Sequence, residues 1–249
     1  MAGTMTRIPA PGIDRALLTQ VLYRRYAGAG LGRNARFWWT RYARQARSAT
    51  ARLLKRSLDV LVSATMLVLL APLFAVVALL IKLTDGGPVL FWQKRVGRWG
   101  REFPFPKFRS MVVNAEQLKA KLLARNDHKE SVTFKMKRDP RITWIGRIMR
   151  KLSIDEMPQL WCVLRGTMSL VGPRPPLPSE VACYSLADRR RLDVKPGLTC
   201  IWQVSGRGNI PFPQQVELDV QYIESQSLWV DLKLLLKTIP AVLLGKGAF

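Results

Sequence analysis

Two adjacent carboxylates, Asp155 and Glu156, stand out in a chain whose charge is otherwise strongly positive. The stretch before them, Ile142 to Arg150, has apolar residues at helical spacing, which predicts an amphipathic helix. Pro158 is tolerated only in the first turn of a helix, so a second helix should begin near Asp155 or Glu156. A helix N-terminus favours negative charge and keeps a carboxylate ionised and nucleophilic. The acidic pair is therefore a candidate for nucleophilic chemistry.

The same position also has a purely structural interpretation. Asp and Ser are both strong N-cap residues, so Asp155 or Ser153 could simply cap the second helix. The spacing of the residues does not decide between a cap and a reactive group. The difference is testable, because Asn caps a helix as well as Asp does but is a very poor nucleophile.

Other common chemistries find little support in the sequence. The only histidine, His128, lies in a polar stretch typical of the surface, which argues against Ser/His and Cys/His catalysis. Three cysteines, Cys162, Cys183 and Cys200, lie far apart and show neither metal-ligand spacing nor a disulfide framework, which indicates a reducing compartment. No glycine-rich nucleotide-binding motif is found.

The net charge restricts the class of partner. The 249 residues contain 40 Lys and Arg against 17 Asp and Glu, a formal charge of +23. Such a balance predicts an acidic partner, which could be nucleic acid, anionic lipid or a phosphorylated substrate.

The chain begins with a basic leader, and residues 1–56 contain twelve Arg and Lys and a single acid, Asp14. Aromatic residues Phe37, Trp38, Trp39 and Tyr42 are interleaved with its arginines. An Arg-rich, acid-poor leader could be a disordered arm or a transit peptide. The interleaved aromatic residues favour an interfacial segment, with rings at the lipid headgroups and arginines on lipid phosphates.

An uncharged segment of 22 residues, Val60 to Ile81, follows the leader. As a straight helix it would measure roughly 33 Å, enough to cross a bilayer. Pro72 near its middle should kink or break that helix. Basic residues flank both ends, including Lys55 and Lys82, which places both ends on the cytoplasmic face. These features favour a re-entrant hairpin that enters one leaflet and returns, and the alternative is a plain spanning helix.

The remainder has the pattern of a small globular domain. Two short strands are predicted at Val89–Trp92 and around Arg101–Arg109, and a helix is predicted at Asn114–His128. Val171 to Pro176 should be a rigid loop in which flanking prolines hold Arg174 in place, although it could be a plain connector. From Trp229 to Leu244 the pattern is amphipathic, which suits either a core-facing helix or a helix docked on a membrane surface.

Six motifs taken together resemble one known family. They are Gly86-Gly-Pro-Val-Leu-Phe91 after the apolar segment, Lys107-Phe-Arg-Ser-Met111, Asp139-Pro-Arg-Ile142, Leu152-Ser-Ile-Asp-Glu-Met-Pro-Gln-Leu160, Met168-Ser-Leu-Val-Gly-Pro-Arg-Pro-Pro176 and Lys195-Pro-Gly-Leu-Thr199. Over residues 52 to 249 the chain is similar to the bacterial sugar transferases, the monotopic phosphoglycosyl transferases. The resemblance implies transfer of hexose 1-phosphate from a UDP-sugar to polyprenyl (undecaprenyl) phosphate with release of UMP. That reaction begins exopolysaccharide, capsule or O-antigen synthesis.

The resemblance also implies roles for the acidic pair. Asp155 would be the covalent nucleophile, and Glu156 its helper at a bound Mg²⁺, so both are candidate metal ligands. Fixed cations would stabilise the phosphates, and Arg150 and Arg174 are the leading candidates. Four further cations are candidates that could instead be solvated surface charges or lipid anchors: Lys107, Arg109, Arg141 and Arg207.

The implied fold class is α+β and mostly helical. It would comprise a basic leader (1–51, partly disordered or interfacial), a re-entrant membrane hairpin broken at Pro72 (52–82) and a cytoplasmic catalytic domain with amphipathic interfacial helices (83–249). The expected location is the cytoplasmic face of the inner membrane. Expected partners are the UDP-sugar, polyprenyl phosphate and membrane lipids, with a possible homo-oligomer and no nucleic acid. The alternative is a basic membrane-attached protein that binds nucleic acid or anionic lipid, but such a protein gains nothing from adjacent carboxylates.

Overall fold

The computed structural model describes residues 31–115, 117–118, 139–206 and 209–244. The chain divides into two compact units, Met1–Thr50 and Ala51–Phe249. The first unit is helical from residue 31 onward. The contacts and sites below all belong to the second unit. Most of the predicted helix at 114–128, together with His128 and Arg207, lies outside the described residues.

Helix α1, Leu31–Asp85, contains the apolar segment. Its part from Ala49 to Asp85 is long and apolar enough to cross a membrane, with a mean hydropathy of 2.8 over its most apolar stretch and only 11% of that stretch buried within the molecule. A helix so apolar and so little covered by protein is suited to a lipid environment.

The predicted break at Pro72 is not found, because Pro72 lies inside α1 and the helix continues on both sides of it. A proline removes one backbone hydrogen bond and can bend a helix, but it does not have to end one. The two separate helices expected from the sequence are therefore one helical element.

Two strands follow α1 and form an antiparallel hairpin. β1, Leu90–Val96, pairs with β2, Glu102–Phe108, and a short 3₁₀ turn at Arg98–Gly100 connects them. Both predicted strands are confirmed, although β1 extends four residues beyond Trp92. Along β2, Phe103 and Phe105 are buried on alternate positions, which is the side-chain period of a strand with one face on the core.

The segment with the acidic pair lies between two short helices. α2, Trp144–Lys151, begins where the Thr143 side chain accepts a hydrogen bond from the Gly146 amide at 3.0 Å. A 3₁₀ helix, Ile154–Gln159, and then α3, Leu160–Arg165, follow it. Gly166, with φ of 84°, ends α3 in the left-handed conformation that glycine adopts without steric cost.

The rest of the domain contains short elements and two longer helices. β3, Ser169–Val171, pairs in parallel with β4, Gly197–Thr199. Helix α4, Pro178–Ala182, a 3₁₀ helix, Asp188–Leu192, and helix α5, Ile201–Ser205, are short. Helices α6, Phe212–Ser225, and α7, Leu228–Leu244, complete the described chain.

Two hydrophobic clusters hold these elements together, and α1 contacts both. The larger cluster joins β2, α3, β3, α6 and α7 around residues such as Phe105 and Val163, with Val62 and Met66 of α1 packed against it. The smaller one joins Val77 and Ile81 of α1 to β2 and α2. Burial of a large apolar side chain such as Phe105 stabilises the fold by about 1.5–3 kcal/mol. Helix α1 is therefore a structural part of the domain that follows it.

Helices α2 and α7 keep large apolar side chains at the surface. Trp144 and Ile148 of α2 are exposed, as are Leu232, Leu236 and Ile239 of α7, whereas Leu234 of α7 is buried in the core. The apolar face predicted for α7 is therefore mostly exposed, and Leu234, on a different side of the helix, faces the core.

Candidate active site

Asp155 and Glu156 lie in the first turn of the 3₁₀ helix Ile154–Gln159. Ser153 occupies the cap position, with φ of 55°, but its side chain makes no capping hydrogen bond. The helix thus begins one residue before the predicted start, and neither Ser153 nor Asp155 caps it through its side chain. The interpretation of Asp155 as a mere helix cap is wrong.

Lys107 on β2 reaches the acidic pair from the hairpin. Its Nζ atom lies 2.8 Å from Glu156 Oε1, and both side chains are largely buried. Burial lowers the pKa of Lys107, because the charged ammonium loses water, and Glu156 partly offsets this.

Arg174 approaches Glu156 from the loop after β3. Its Nη2 donates to Glu156 Oε1 at 2.6 Å and its Nη1 donates to Oε2 at 3.1 Å. This two-point contact is the geometry that makes guanidinium–carboxylate pairs strong and oriented. Burial lowers the pKa of Arg174, but the charge of Glu156, the hydrogen bonds to it and smaller contributions together outweigh burial and raise this pKa, so Arg174 stays charged.

The two carboxyl groups experience opposite environments. Burial alone would raise the pKa of Glu156, but Arg174 and Lys107 outweigh burial and hold this pKa well below its usual range. At Asp155 burial dominates and raises the pKa despite the Lys107 charge, and the nearby Glu156 raises it further. Asp155 is only 7% exposed, and its carboxylate accepts no hydrogen bond from the described part of the chain. A buried carboxylate without such partners is more basic, and hence more nucleophilic, than an ordinary one.

Arg150, on α2, lies in the same electrostatic neighbourhood. Its Nε donates to the Ser110 hydroxyl at 2.9 Å. Burial lowers the pKa of Arg150, and the charge of Asp155 is the first to oppose that shift. The guanidinium is thus oriented by a neutral partner, and its charge acts on the Asp155 carboxylate.

Arg109 and Arg141 pair with other acids. Arg109 forms a salt bridge with Asp85 at the end of α1. Arg141 contacts Asp139, with Nη2 and Oδ2 2.6 Å apart, and its backbone amide donates to the same carboxylate at 3.0 Å. No salt bridge of the described residues joins either guanidinium to the acidic pair: Arg109 links the chain after β2 to the end of α1, and the pair of Arg141 with Asp139 is local. Arg207 lies outside the described residues.

Arg95 is a neighbour of this site that the sequence did not reveal. It lies on β1 and donates to the carbonyl of Pro175 at 3.0 Å, next to Arg174. Burial, followed by the repulsion of Arg174, lowers the pKa of Arg95 to about 10. The alternation that places Gln93 and Arg95 on one face continues to Val96, beyond Trp92, where the sequence prediction ends the strand.

The described residues contain no group of three or more His, Cys, Asp or Glu side chains that could hold a metal ion. Mg²⁺ often needs only one or two carboxylates, with waters and substrate phosphates as its other ligands. Asp155 fits this requirement, because its oxygens are not engaged by described residues. Glu156 fits less well, because its oxygens already accept three hydrogen bonds from Lys107 and Arg174.

This chain matches one known protein family and several known proteins. Residues 50–245 match the family described as bacterial sugar transferase. The chain is 55% identical over 165 residues, 66% of its length, to "Galactosyl transferase CpsE" of Streptococcus agalactiae, of which it covers 36%. It is 41% identical to "Exopolysaccharide production protein ExoY" of Rhizobium meliloti, covering 78% of this chain and 88% of that protein.

A third relative is named for its reaction. The chain is 43% identical over 204 residues, 80% of its length, to "Undecaprenyl-phosphate galactose phosphotransferase" of Salmonella typhimurium, of which it covers 42%. The chain thus spans about a third to two fifths of the length of two of these three relatives. The family match and the extensive similarity to ExoY show that this chain belongs to the bacterial sugar transferase family.

Proposed function

We propose that this chain transfers a hexose 1-phosphate from a UDP-sugar to polyprenyl (undecaprenyl) phosphate and releases UMP. The observation that carries the proposal is Asp155: a buried carboxylate without a hydrogen-bond partner among the described residues, beside a second acid that two cations hold ionised. The relatives support the substrate classes, since their names include undecaprenyl-phosphate galactose and glucose phosphotransferases. UDP-galactose and UDP-glucose are therefore the first donors to test.

The reaction would proceed in two displacements at one phosphorus atom. In the first, an Asp155 oxygen attacks the phosphorus that carries the sugar. The bond from that phosphorus to the oxygen of UMP breaks, and UMP leaves with the electron pair. In the second, an oxygen of polyprenyl phosphate attacks the same phosphorus, and the bond to Asp155 breaks. The products are a polyprenyl diphosphate sugar and the regenerated carboxylate.

The cations around Asp155 suit this sequence of steps. Lys107 and Arg174 are held by Glu156 in fixed positions, and preorganised cations stabilise developing negative charge without reorganising during the reaction. Arg150, oriented by Ser110, adds a third positive charge near the nucleophile. Mg²⁺, held chiefly by Asp155 and in part by Glu156, would offset the diphosphate charge when bound.

Helix α1 would place this site at the membrane where the polyprenyl phosphate resides. We propose that α1 bends at Pro72 within the cytoplasmic leaflet of the inner membrane and returns without ending as a helix, so that Lys55 and Lys82 lie on the same side. The exposed apolar residues of α2 and α7 would rest on the lipid surface. Cysteines introduced at both ends should resist labelling from outside intact cells. Labelling at one end only would show a spanning helix.

The function is tested by incubating the purified protein with UDP-glucose or UDP-galactose, undecaprenyl phosphate and Mg²⁺, and by measuring UMP. We expect UMP to be released with at least one donor and the sugar to appear on the lipid. Failure of every UDP-sugar in a broad panel, with folded protein and acceptor present, would contradict the proposed function.

A further inference from the structure

Strand β3 leads directly into the loop of Arg174, and α1 holds the middle of this strand. Asp59 on α1 accepts hydrogen bonds through Oδ1 from the Leu170 amide at 3.0 Å and from the Ser169 hydroxyl at 3.1 Å. Asp59 is only 4% exposed, so these bonds are shielded from water. Because loss of a buried hydrogen bond is costly, a buried carboxylate that accepts a hydrogen bond from a backbone amide holds that backbone in place.

A second contact from α1 holds the end of the strand. Lys55 Nζ donates to the Val171 carbonyl at 3.2 Å and lies 2.5 Å from Asp231 Oδ2 on α7. The Tyr222 hydroxyl, from α6, lies 3.0 Å from the same carbonyl oxygen and 2.7 Å from Asp231 Oδ1. Lys55 of α1 and Tyr222 of α6 thus meet at one carbonyl group, three residues before Arg174, and Asp231 of α7 contacts both of them.

The backbone beyond Val171 is held as well. The Gly172 amide donates to the Thr199 carbonyl at 3.0 Å, and the Gly197 amide donates to the Pro173 carbonyl at 2.9 Å. A Cβ atom on Gly197 would lie 2.0 Å from the Gly172 amide nitrogen, so only glycine permits this close approach. The position of Val171 is therefore transmitted to Arg174 through a segment with little freedom.

We propose that Lys55, Asp59, Tyr222 and Asp231 form a positioning network that sets the placement of Arg174 against Glu156. Buried ion pairs are costly to desolvate and often contribute geometry rather than net stability, which suits this role for Lys55 and Asp231. The inference rests on the proposed function, in which Arg174 acts on the substrate phosphates. It adds that the membrane helix is part of the catalytic geometry, through residues that do not touch the substrate.

Tyr222→Phe tests the network with the smallest change. It removes the hydroxyl at Val171 and Asp231 but keeps the buried ring. Tyr184→Phe is the matched control, because it removes a hydroxyl from another buried ring whose partner is Arg191 instead of β3. A small misplacement of a catalytic group can cost about 100-fold in rate. We therefore expect Tyr222→Phe to lower kcat/KM for the UDP-sugar by about 10- to 100-fold, and Tyr184→Phe to leave it near the wild-type value.

The same substitution in an Arg174→Lys background separates positioning from general damage. If Tyr222 acts through the Arg174 guanidinium, adding Tyr222→Phe to Arg174→Lys should change kcat/KM by no more than about twofold relative to Arg174→Lys alone. An equal loss in both backgrounds would overturn the proposal, because it would show damage that does not depend on Arg174.

Hydrogen exchange gives a measurement that does not depend on activity. Amides in a peptide covering residues 167–177 should exchange faster in Tyr222→Phe and in Ser169→Ala than in wild type or Tyr184→Phe. Unchanged exchange in both variants would overturn the network even if the enzyme assay succeeds. Faster exchange in a protein that releases no UMP from any donor would instead support the network and contradict the proposed function.

Discussion

Arg174→Lys keeps the positive charge beside Glu156 but removes the two-point contact. The wild-type guanidinium donates to both carboxylate oxygens, at 2.6 and 3.1 Å. A lysine ammonium is a point charge that cannot reproduce this fork at the same place. The substitution therefore shows how much of the activity depends on the two-point contact and how much on the positive charge alone.

The size of the effect follows from the lost contact. One hydrogen bond to a charged group contributes about 1.5–3 kcal/mol. At about 1.4 kcal/mol per factor of ten, loss of one such bond in the transition state lowers kcat/KM by about 10- to 150-fold. If Arg174 moved to a substrate phosphate during the reaction, a similar loss would follow, since phosphate is also bound through two donors.

The assay is UMP release under limiting UDP-sugar, with Arg190→Lys as the control. Arg190 contacts Glu224 at 2.9 Å, but both side chains are at least half exposed, so the same substitution there should change little. A normal rate for Arg174→Lys would mean that the two-point contact is not needed and that the loop from Val171 to Pro176 is only a connector.

Three further predictions concern packing, pH and metal. Gly146→Ala should lower the free energy of unfolding by about 1–3 kcal/mol in a denaturant titration, because its Cβ would lie 2.0 Å from the Ser110 carbonyl oxygen; stabilisation, the usual effect of Ala in a helix, would contradict the close contact. In the proposed mechanism only ionised Asp155 attacks, and burial raises the pKa of this group. We therefore expect kcat/KM to fall as the pH drops through a midpoint above about 3.9, the ordinary Asp value. A pH–rate profile that is flat down to that pH would contradict this prediction. Chelation of the metal by EDTA should stop UMP release. In a Mg²⁺ titration, Asp155→Asn should weaken Mg²⁺ binding more than Glu156→Gln does. The reverse order would make Glu156 the main metal ligand.

The sequence singles out the acidic pair and the loop of Arg174 because these residues lie in motifs with local constraints. Arg174 is held between prolines, and both strands of the hairpin follow from alternation and from a turn-rich boundary. The proximity of Lys107, Arg174 and Glu156 is a tertiary fact that the sequence cannot derive without the resemblance, because 49 and 18 residues separate the cations from Glu156.

Among the other features, some depend on packing that no local pattern reveals, and one follows from spacing. Arg109 pairs with Asp85, which lies 24 residues earlier in the chain. The sequence around Arg109 therefore does not distinguish a substrate contact from a structural ion pair. Arg141 lies only two residues from Asp139, and that pairing could have been inferred from the spacing. The sequence predicts a kink or break at Pro72, but the helix continues because the loss of one hydrogen bond is small beside the many that continue along α1.

The most direct test of the mechanism is to look for a covalent intermediate on Asp155. Wild-type protein is incubated with a UDP-sugar and Mg²⁺ without polyprenyl phosphate, quenched, digested and analysed by mass spectrometry, with Asp155→Asn as the paired sample. Two-step displacement predicts a UMP burst and a hexose phosphate on the peptide containing Asp155, while Asp155→Asn shows neither and remains folded. An active Asp155→Asn variant, or the adduct on any other residue, would contradict the mechanism.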